Sequence, residues 1–296
     1  MGQKCPFPVP TCETKTIIEK PERPFFIGAF SGMEVAMKQR LSSVILALFL
    51  TLFAGTAMAQ GPAVSTLNGK AEVFGGSVDD DGAIIGAGSV SVPLGDLLGL
   101  QLDGAWGELD GDDEISGMGL HLFARDPSRY LLGFNVSHAE LEDYEMRRYA
   151  LEGEYYVGRI TVAALGGLQE GDVDDAGFGS LDLRWYPLDD LKLELGGSIA
   201  DDDERVHLGA EYQVVAGLAV FVDGALGDDD YDHVLAGARY YFGTQKPLIR
   251  RHREDDPVNN VIAGLLQSLG SISDATSSSG AAESSDDIIV PGGGEF

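Results

Sequence analysis

Carboxylates dominate the chemistry this chain can offer, and they gather in six short clusters. These are Asp79-Asp80-Asp81-Gly82, Asp110-Gly111-Asp112-Asp113-Glu114, Glu140 to Glu145, Asp172-Val173-Asp174-Asp175, Asp201-Asp202-Asp203-Glu204 and Asp228-Asp229-Asp230-Tyr231-Asp232. Hard divalent cations prefer clustered carboxylate oxygens, so divalent cations at these acidic loops are one expectation. A defined calcium loop is not expected. Asp172-Val173-Asp174-Asp175-Ala176-Gly177 has the spacing at which such a loop begins, but Ala176 stands where a third oxygen ligand belongs and no helices flank it. The simpler reading is a solvated negative rim of Asp79, Asp80, Asp81, Asp112, Asp113, Asp174, Asp175, Asp201, Asp202, Asp203, Asp228, Asp229 and Asp230. Such a rim enriches cations and repels anions within about 8 Å, the Debye length at physiological salt.

Nucleophilic catalysis finds no constellation. Ser137 and His138 are neighbours in one alternating segment and therefore point to opposite faces. His121 and His207 lack a nearby Ser with an orienting acid, and no phosphate-cradling glycine loop or zinc-ligand spacing occurs. The expectation is a non-enzymatic protein without catalytic residues, resident metal or cofactor. The formal net charge of −28 repels phosphate, which excludes nucleic acid as a partner.

The elements that must position these groups are strands. From Leu67 to Phe242 one unit recurs: an alternating segment, an acidic cluster, another alternating segment, a short turn. The other turns are Pro93-Leu94-Gly95-Asp96, Ala124 to Arg129, Gly158-Arg159, Pro187-Leu188-Asp189-Asp190 and Val215-Ala216-Gly217. In Ser180-Leu181-Asp182-Leu183-Arg184-Trp185-Tyr186, leucines and tryptophan take one face while Asp182 and Arg184 take the other. Leu191 to Leu195 and Val206 to Tyr212 repeat the pattern. A soluble sandwich would also alternate, but the repeat never breaks for a Greek-key crossover. Aromatics also recur near segment ends, at Trp106, Tyr155, Trp185, Tyr212, Tyr240 and Phe242, where an interfacial girdle would lie. The pattern predicts an all-β fold: an up-and-down antiparallel transmembrane β-barrel of about twelve strands, each about 9–11 residues long, with a C-terminal extension.

The hydrophobic fraction of 44% is that of a soluble protein. This is expected of a barrel, which shows lipid only every second residue. The one long apolar run belongs to an export signal: Met37-Lys38-Gln39-Arg40, then Leu41 to Phe53, then Ala57-Met58-Ala59 before Gln60. Residues 1–36 contain Cys5, Cys12 and several prolines without periodicity, and are read as an extension ahead of the true start at Met37 or Met33. The expected organisation is therefore 1–36 extension, 37–59 signal peptide, 60–243 barrel and 244–296 periplasmic tail, with a mature chain free of cysteine.

With the leucine face toward lipid, the lumen is lined by Lys70, Glu72, Asp103, His121, Arg125, Glu152, Glu154, Arg159, Asp182, Arg184, Lys192, Glu194, His207, Glu211, Asp223 and Arg239. Opposed charges there either pair and close the interior or stay hydrated along a narrow path. In the tail, Arg250-Arg251-His252-Arg253 forms a basic patch expected just beyond the inner interface. Val258, Ile262, Leu265, Leu266, Leu269 and Ile272 fall at helical spacing, and residues 273–296 have the composition of disorder. The helix is read as plugging the lumen, lying on the membrane or binding a periplasmic partner, with a weakly ordered appendage as the alternative.

Val234-Leu235-Ala236-Gly237-Ala238-Arg239-Tyr240-Tyr241-Phe242 resembles the closing strand of the porin-like outer-membrane β-barrels of Gram-negative bacteria. The resemblance covers the barrel region and rests on pattern rather than on a family motif. It implies the cell outer membrane with both barrel ends periplasmic, outer-membrane lipid around the wall and the barrel-assembly machinery as a partner. The chain departs from that pattern by running on for more than fifty residues after Phe242. The function this implies is a porin-like barrel acting as a narrow, cation-preferring channel with an acidic outer rim. The alternatives are a closed barrel with a structural or surface role, and a soluble secreted β-protein.

Overall fold

The computed structural model describes residues 61–267, except 112, 143, 173, 174, 202, 229, 230, 262 and 265. The expected extension, the signal peptide and the end of the tail lie outside the described residues. Twelve strands follow in order: β1 (Asn68–Val78), β2 (Asp81–Leu94), β3 (Leu98–Leu109), β4 (Asp113–Asp126), β5 (Tyr130–Leu141), β6 (Tyr144–Val157), β7 (Ile160–Gly171), β8 (Ala176–Leu188), β9 (Leu191–Ala200), β10 (Asp203–Val215), β11 (Leu218–Gly227) and β12 (Asp232–Phe242). Each pairs antiparallel with its neighbours in sequence, and β1 pairs with β12 from Gly69↔Phe242 to Val78↔His233. The sheet is a closed up-and-down barrel. No strand crosses over, which removes the sandwich alternative.

The strands run to 10–14 residues, longer than the spacing of the sequence signals implies. Several residues read as turn are paired instead: Pro93 and Leu94 in β2, Ala124 to Asp126 in β4, and Glu140 and Leu141 in β5. At about 3.3 Å per residue and a tilt of about 40°, a strand of about twelve residues rises roughly 30 Å, the thickness of the hydrocarbon core. The connections are correspondingly tight. Between β1 and β2 only Asp79 and Asp80 remain, both at positive φ (54° and 69°). Two consecutive left-handed residues are what a type I′ hairpin turn requires, and Asp tolerates them.

Because successive strands run in opposite directions and the acidic connections follow the odd-numbered ones, every acidic connection lies at one end. The short turns, the start of β1 and the finish of β12 all lie at the other.

Burial is inverted relative to a soluble protein. On β8, Leu181 is 61% exposed while Arg184 is only 7% exposed, and Leu183 and Trp185 also face outward. The same alternation runs round the wall, with Leu102, Leu120, Leu151, Leu195, Leu208 and Val220 outside and Gln101, His121, Glu152 and Glu211 inside. Water would penalise such an apolar belt and lipid would not.

The segment after β12 departs from the expectation of a periplasmic tail. It turns back and threads the barrel: helix α1 (Leu248–Glu254) buries Leu248 and Arg251, and the described residues between 260 and 267 are helical. Val261 and Leu266 pack against the inner wall, whereas Val258 is 40% exposed. The basic patch is thus α1 itself, lying across the short-turn mouth, with Arg251 buried and Arg250 exposed. Of the three places weighed for the amphipathic stretch, the lumen is where its described part lies.

Placing arginine at Leu181, midway along a lipid-facing strand, should cost about 2–4 kcal/mol. Urea unfolding of the barrel in lipid bilayers reads this directly, and an unchanged transition would mean that Leu181 does not meet hydrocarbon.

Candidate functional site

The candidate site is the charged lumen together with the segment that occupies it. Period-2 alternation sends one side chain in two inward from every strand, and the segment from Lys246 to Gln267 meets them in three tiers.

At the short-turn end three inward tyrosines, Tyr156, Tyr186 and Tyr241, receive α1. His252 lies between two of them: Tyr186 Oη is 2.9 Å from Nδ1 and Tyr241 Oη is 2.9 Å from Nε2. Tyr241 Oη also donates to Glu211 at 2.5 Å, and this fixes the direction of the chain. With that proton committed, Nε2–H of His252 donates to Tyr241, while Nδ1 shares a hydrogen bond with Tyr186. Arg251 stacks on Tyr241 (4.6 Å) and Arg253 on Tyr156 (4.9 Å). Arg253 also donates to the carbonyls of Gly158 and Ile160, both at 2.9 Å. Residues 61–66 clasp the same mouth. Ser65 N–H donates to the Glu254 carbonyl at 3.0 Å, and Lys246 bridges Ser65 and Asp255.

The middle tier holds the ion pairs. Arg184 meets Glu154 at 2.6 Å and Glu194 at 3.0 Å, and Lys192 meets Glu194 at 2.7 Å and Glu211 at 3.6 Å. Arg239 joins Glu72 to Glu211. On the opposite wall His121 lies between Asp103 (2.6 Å) and Glu152 (3.0 Å). The threaded segment completes this tier: Lys70 donates to Asp256 at 2.8 Å and to the Pro257 carbonyl at 2.9 Å, while Val261 lies over Gly119.

At the acidic end the tier is mixed. Arg148 donates to Gln267 (2.7 Å) and Gln169 (2.9 Å), and Arg205 donates to the Leu266 carbonyl and stacks on Tyr231 at 3.6 Å. Leu266 packs with Ile85, Ile115, Met146 and Leu235.

Beside the threaded segment a cavity of about 220 Å³ remains, lined among others by Glu72 of β1, Asp182, Glu194, His207 and Asp223. A smaller one of about 70 Å³ shares Glu72, Arg184, Lys192, Arg239, Val258 and Asn259 with it and ends at His252.

Of the residues expected to line the lumen, Lys70, Glu72, Asp103, His121, Arg125, Glu152, Arg184 and Glu211 are buried inside. Glu154, Asp182, Lys192, Glu194, His207, Asp223 and Arg239 are partly buried within the same networks. Arg159 is different. It stands in the β6–β7 turn, its side chain 49% exposed and paired with Asp189 of the next turn, because β6 ends at Val157 before alternation can carry it inward.

All six girdle aromatics face outward. Tyr155, Trp185, Tyr212, Tyr240 and Phe242 lie toward the short-turn end, and Trp106, toward the acidic end, donates to Glu114 at 2.8 Å. Of the rim acids, Asp79, Asp80, Asp81, Asp175, Asp201 and Asp228 are exposed, and Asp113 and Asp203 partly so. Asp112, Asp174, Asp202, Asp229 and Asp230 lie outside the described residues. The inward tyrosines and Arg148 and Arg205 escaped sequence reasoning, although Tyr186 and Tyr241 each follow an outward aromatic and alternation alone places them inside.

Replacing Arg184 with methionine should cost about 3–5 kcal/mol, because it leaves Glu154 and Glu194 charged and enclosed without it. Equilibrium unfolding of the variant in detergent checks this, and a loss under about 1 kcal/mol would mean that the lumen pairs are solvated like surface ones.

No protein-family model matches the sequence, and no curated protein matches it. Among solved structures, the chain resembles a KdgM porin in complex with disordered oligogalacturonate. The identity is 12% and the TM-score 0.50, covering 59% of this chain and 99% of that one. An outer-membrane channel of Pseudomonas putida F1 aligns at 12% identity with a TM-score of 0.47, over 64% of this chain and 100% of that one. At such identity a likeness is one of fold. Together with the closed wall and the inverted burial, the likeness to the KdgM porin shows that this chain has the fold of the porin-like outer-membrane β-barrels.

Proposed function

We propose that the protein is a narrow, cation-preferring outer-membrane channel whose own C-terminal segment is its closing element. Both barrel ends face the periplasm and the acidic loops face outward. Outer-membrane lipid surrounds the belt, the barrel-assembly machinery reads the last strand, and the rim acids concentrate cations, divalent ones included, at the outer mouth.

One observation carries this reading: two cavities that share lining residues, the smaller of them reaching His252, leave an unfilled stretch of lumen beside the threaded segment. Carboxylates exceed permanent cations along it, and exposed aspartates stand at its outer end, so electrostatics favour cations over anions throughout. A second reading, a closed barrel with a structural or surface role, draws on the density of the ion pairs and on the clasp of Ser65, Lys246 and Asp255 across the short-turn mouth.

Planar-bilayer recording separates the two. The full chain should pass small, intermittent currents with a cation-selective reversal potential. A chain ending at Gln245, shown to be folded by its shift in gel mobility on boiling, should pass larger and steadier ones. Silence from both would favour the closed barrel, and anion preference would contradict the role given to the acids.

A further inference from the structure

Three adjacent strands bring unlike ligand groups to one level of the lumen wall: Asp182 on β8, Glu194 on β9 and His207 on β10. One ligand atom from each lies within 4.8 Å of the others, the one such cluster of three among the described residues. His207 Nε2 stands 3.1 Å from Asp182 Oδ1.

The register explains how side chains from non-neighbouring strands meet. Asp182 and His207 both pair with Gly196 of the intervening strand, and a Cβ at that position would collide with both side chains. A glycine that clears space between a carboxylate and an imidazole is a cradle. Asp182 Oδ1 is shut off from solvent and accepts no well-aligned hydrogen bond despite its closeness to His207. Two ligands at about 2.0–2.1 Å from a tetrahedral metal stand roughly 3.3 Å apart, which is close to the observed spacing.

The charge of the surroundings points the same way. Ion pairs link Glu72, Glu154, Asp182, Glu194 and Glu211 to Arg184, Lys192 and Arg239. Five carboxylates thus face three permanent cations within this network, with Arg125 acting on Glu154 from beside it, and the carboxylates stay in excess, which favours a bound cation.

We propose that Asp182, Glu194 and His207 form a binding site for a single divalent transition-metal ion, Zn²⁺ being the first probe, on the wall of the 220 Å³ cavity. The imidazole sets the class: it suits zinc and its neighbours, whereas magnesium and calcium take oxygen ligands. Glu194 frees an oxygen by releasing Lys192, for which Glu211 is a ready alternative partner at 3.6 Å. The site differs from the acidic rim in position and in metal preference, and it stands whether or not the lumen conducts.

The test is calorimetric titration of Zn²⁺ into the detergent-purified full chain in excess Mg²⁺, which occupies the rim carboxylates. One Zn²⁺ per chain is expected. His207→Gln and Asp182→Asn should each weaken it by at least roughly tenfold, and the rim variant Asp79→Asn with Asp80→Asn should leave it unchanged. X-ray absorption at the zinc edge of the unaltered protein must show an imidazole ligand, a readout that does not depend on any variant folding. Absence of Zn²⁺ binding over Mg²⁺, an all-oxygen shell, or full affinity in a folded His207→Gln protein would each overturn the site and would mean that a protonated His207 compensates Asp182 instead.

Discussion

The pairing of β1 with β12 is the constraint on which the rest of this structure depends. A sheet surrounded by hydrocarbon has no water to satisfy the N–H and C=O groups of a free edge, so only closure makes twelve strands tolerable there. The ten-residue register from Gly69↔Phe242 to Val78↔His233 provides it. Once the wall is closed, alternation has two fixed destinations, and each strand presents leucine and valine to lipid and charge to the interior. Exposed leucines and buried arginines, which would be faults in a soluble protein, become two consequences of one closure.

Closure creates a second problem, the interior. Eight strands make a barrel that side chains can fill, while twelve leave room to spare. The chain fills that room partly with salt-bridged side chains and partly with itself. Segment and wall are chemically matched at each tier: arginines of α1 on inward tyrosines, Asp256 on Lys70, Leu266 among Ile85, Ile115 and Met146. The His252 hydrogen-bond chain shows the degree of fit, since one imidazole orients two tyrosines and ends on Glu211. The space left over includes the cavity beside Asp182, Glu194 and His207, where the functional questions concentrate.

Much of the fold was legible in the sequence because period 2 is a local signal. Asp182, Arg184 and Trp185 declare their faces from their order alone, and six acidic turns imply twelve strands. Turn residues were less legible. Glu140, Ala124 and Pro93 carry turn-like chemistry yet are paired, because a hairpin tightens until its register is satisfied. Arg159 was misplaced for the opposite reason: it lies two residues past the end of β6, in the turn, where alternation no longer applies.

The path of the tail was not legible. Val258 and Leu266 announce an apolar face but not its partner, and the partner is an inner wall assembled from strands far apart in sequence, against which Val261 also packs. Nor could alternation show which lumen charges pair, since Arg184 reaches Glu154 from a strand two places away and Lys70 meets Asp256 from 186 residues further along the chain.

The central claim is that the segment after β12 occupies the lumen, and cross-linking tests it most directly. Val261 reaches within 2.9 Å of where a Cβ at Gly119 would stand. The only cysteines in the sequence are Cys5 and Cys12, in the segment expected to be removed. A Gly119→Cys, Val261→Cys protein isolated from outer membranes and mildly oxidised should form an intramolecular disulfide in nearly every chain, seen as a mobility shift on non-reducing gels after boiling. Failure to cross-link in a folded barrel, with both thiols open to a membrane-impermeant reagent, would place the segment outside and leave the lumen empty.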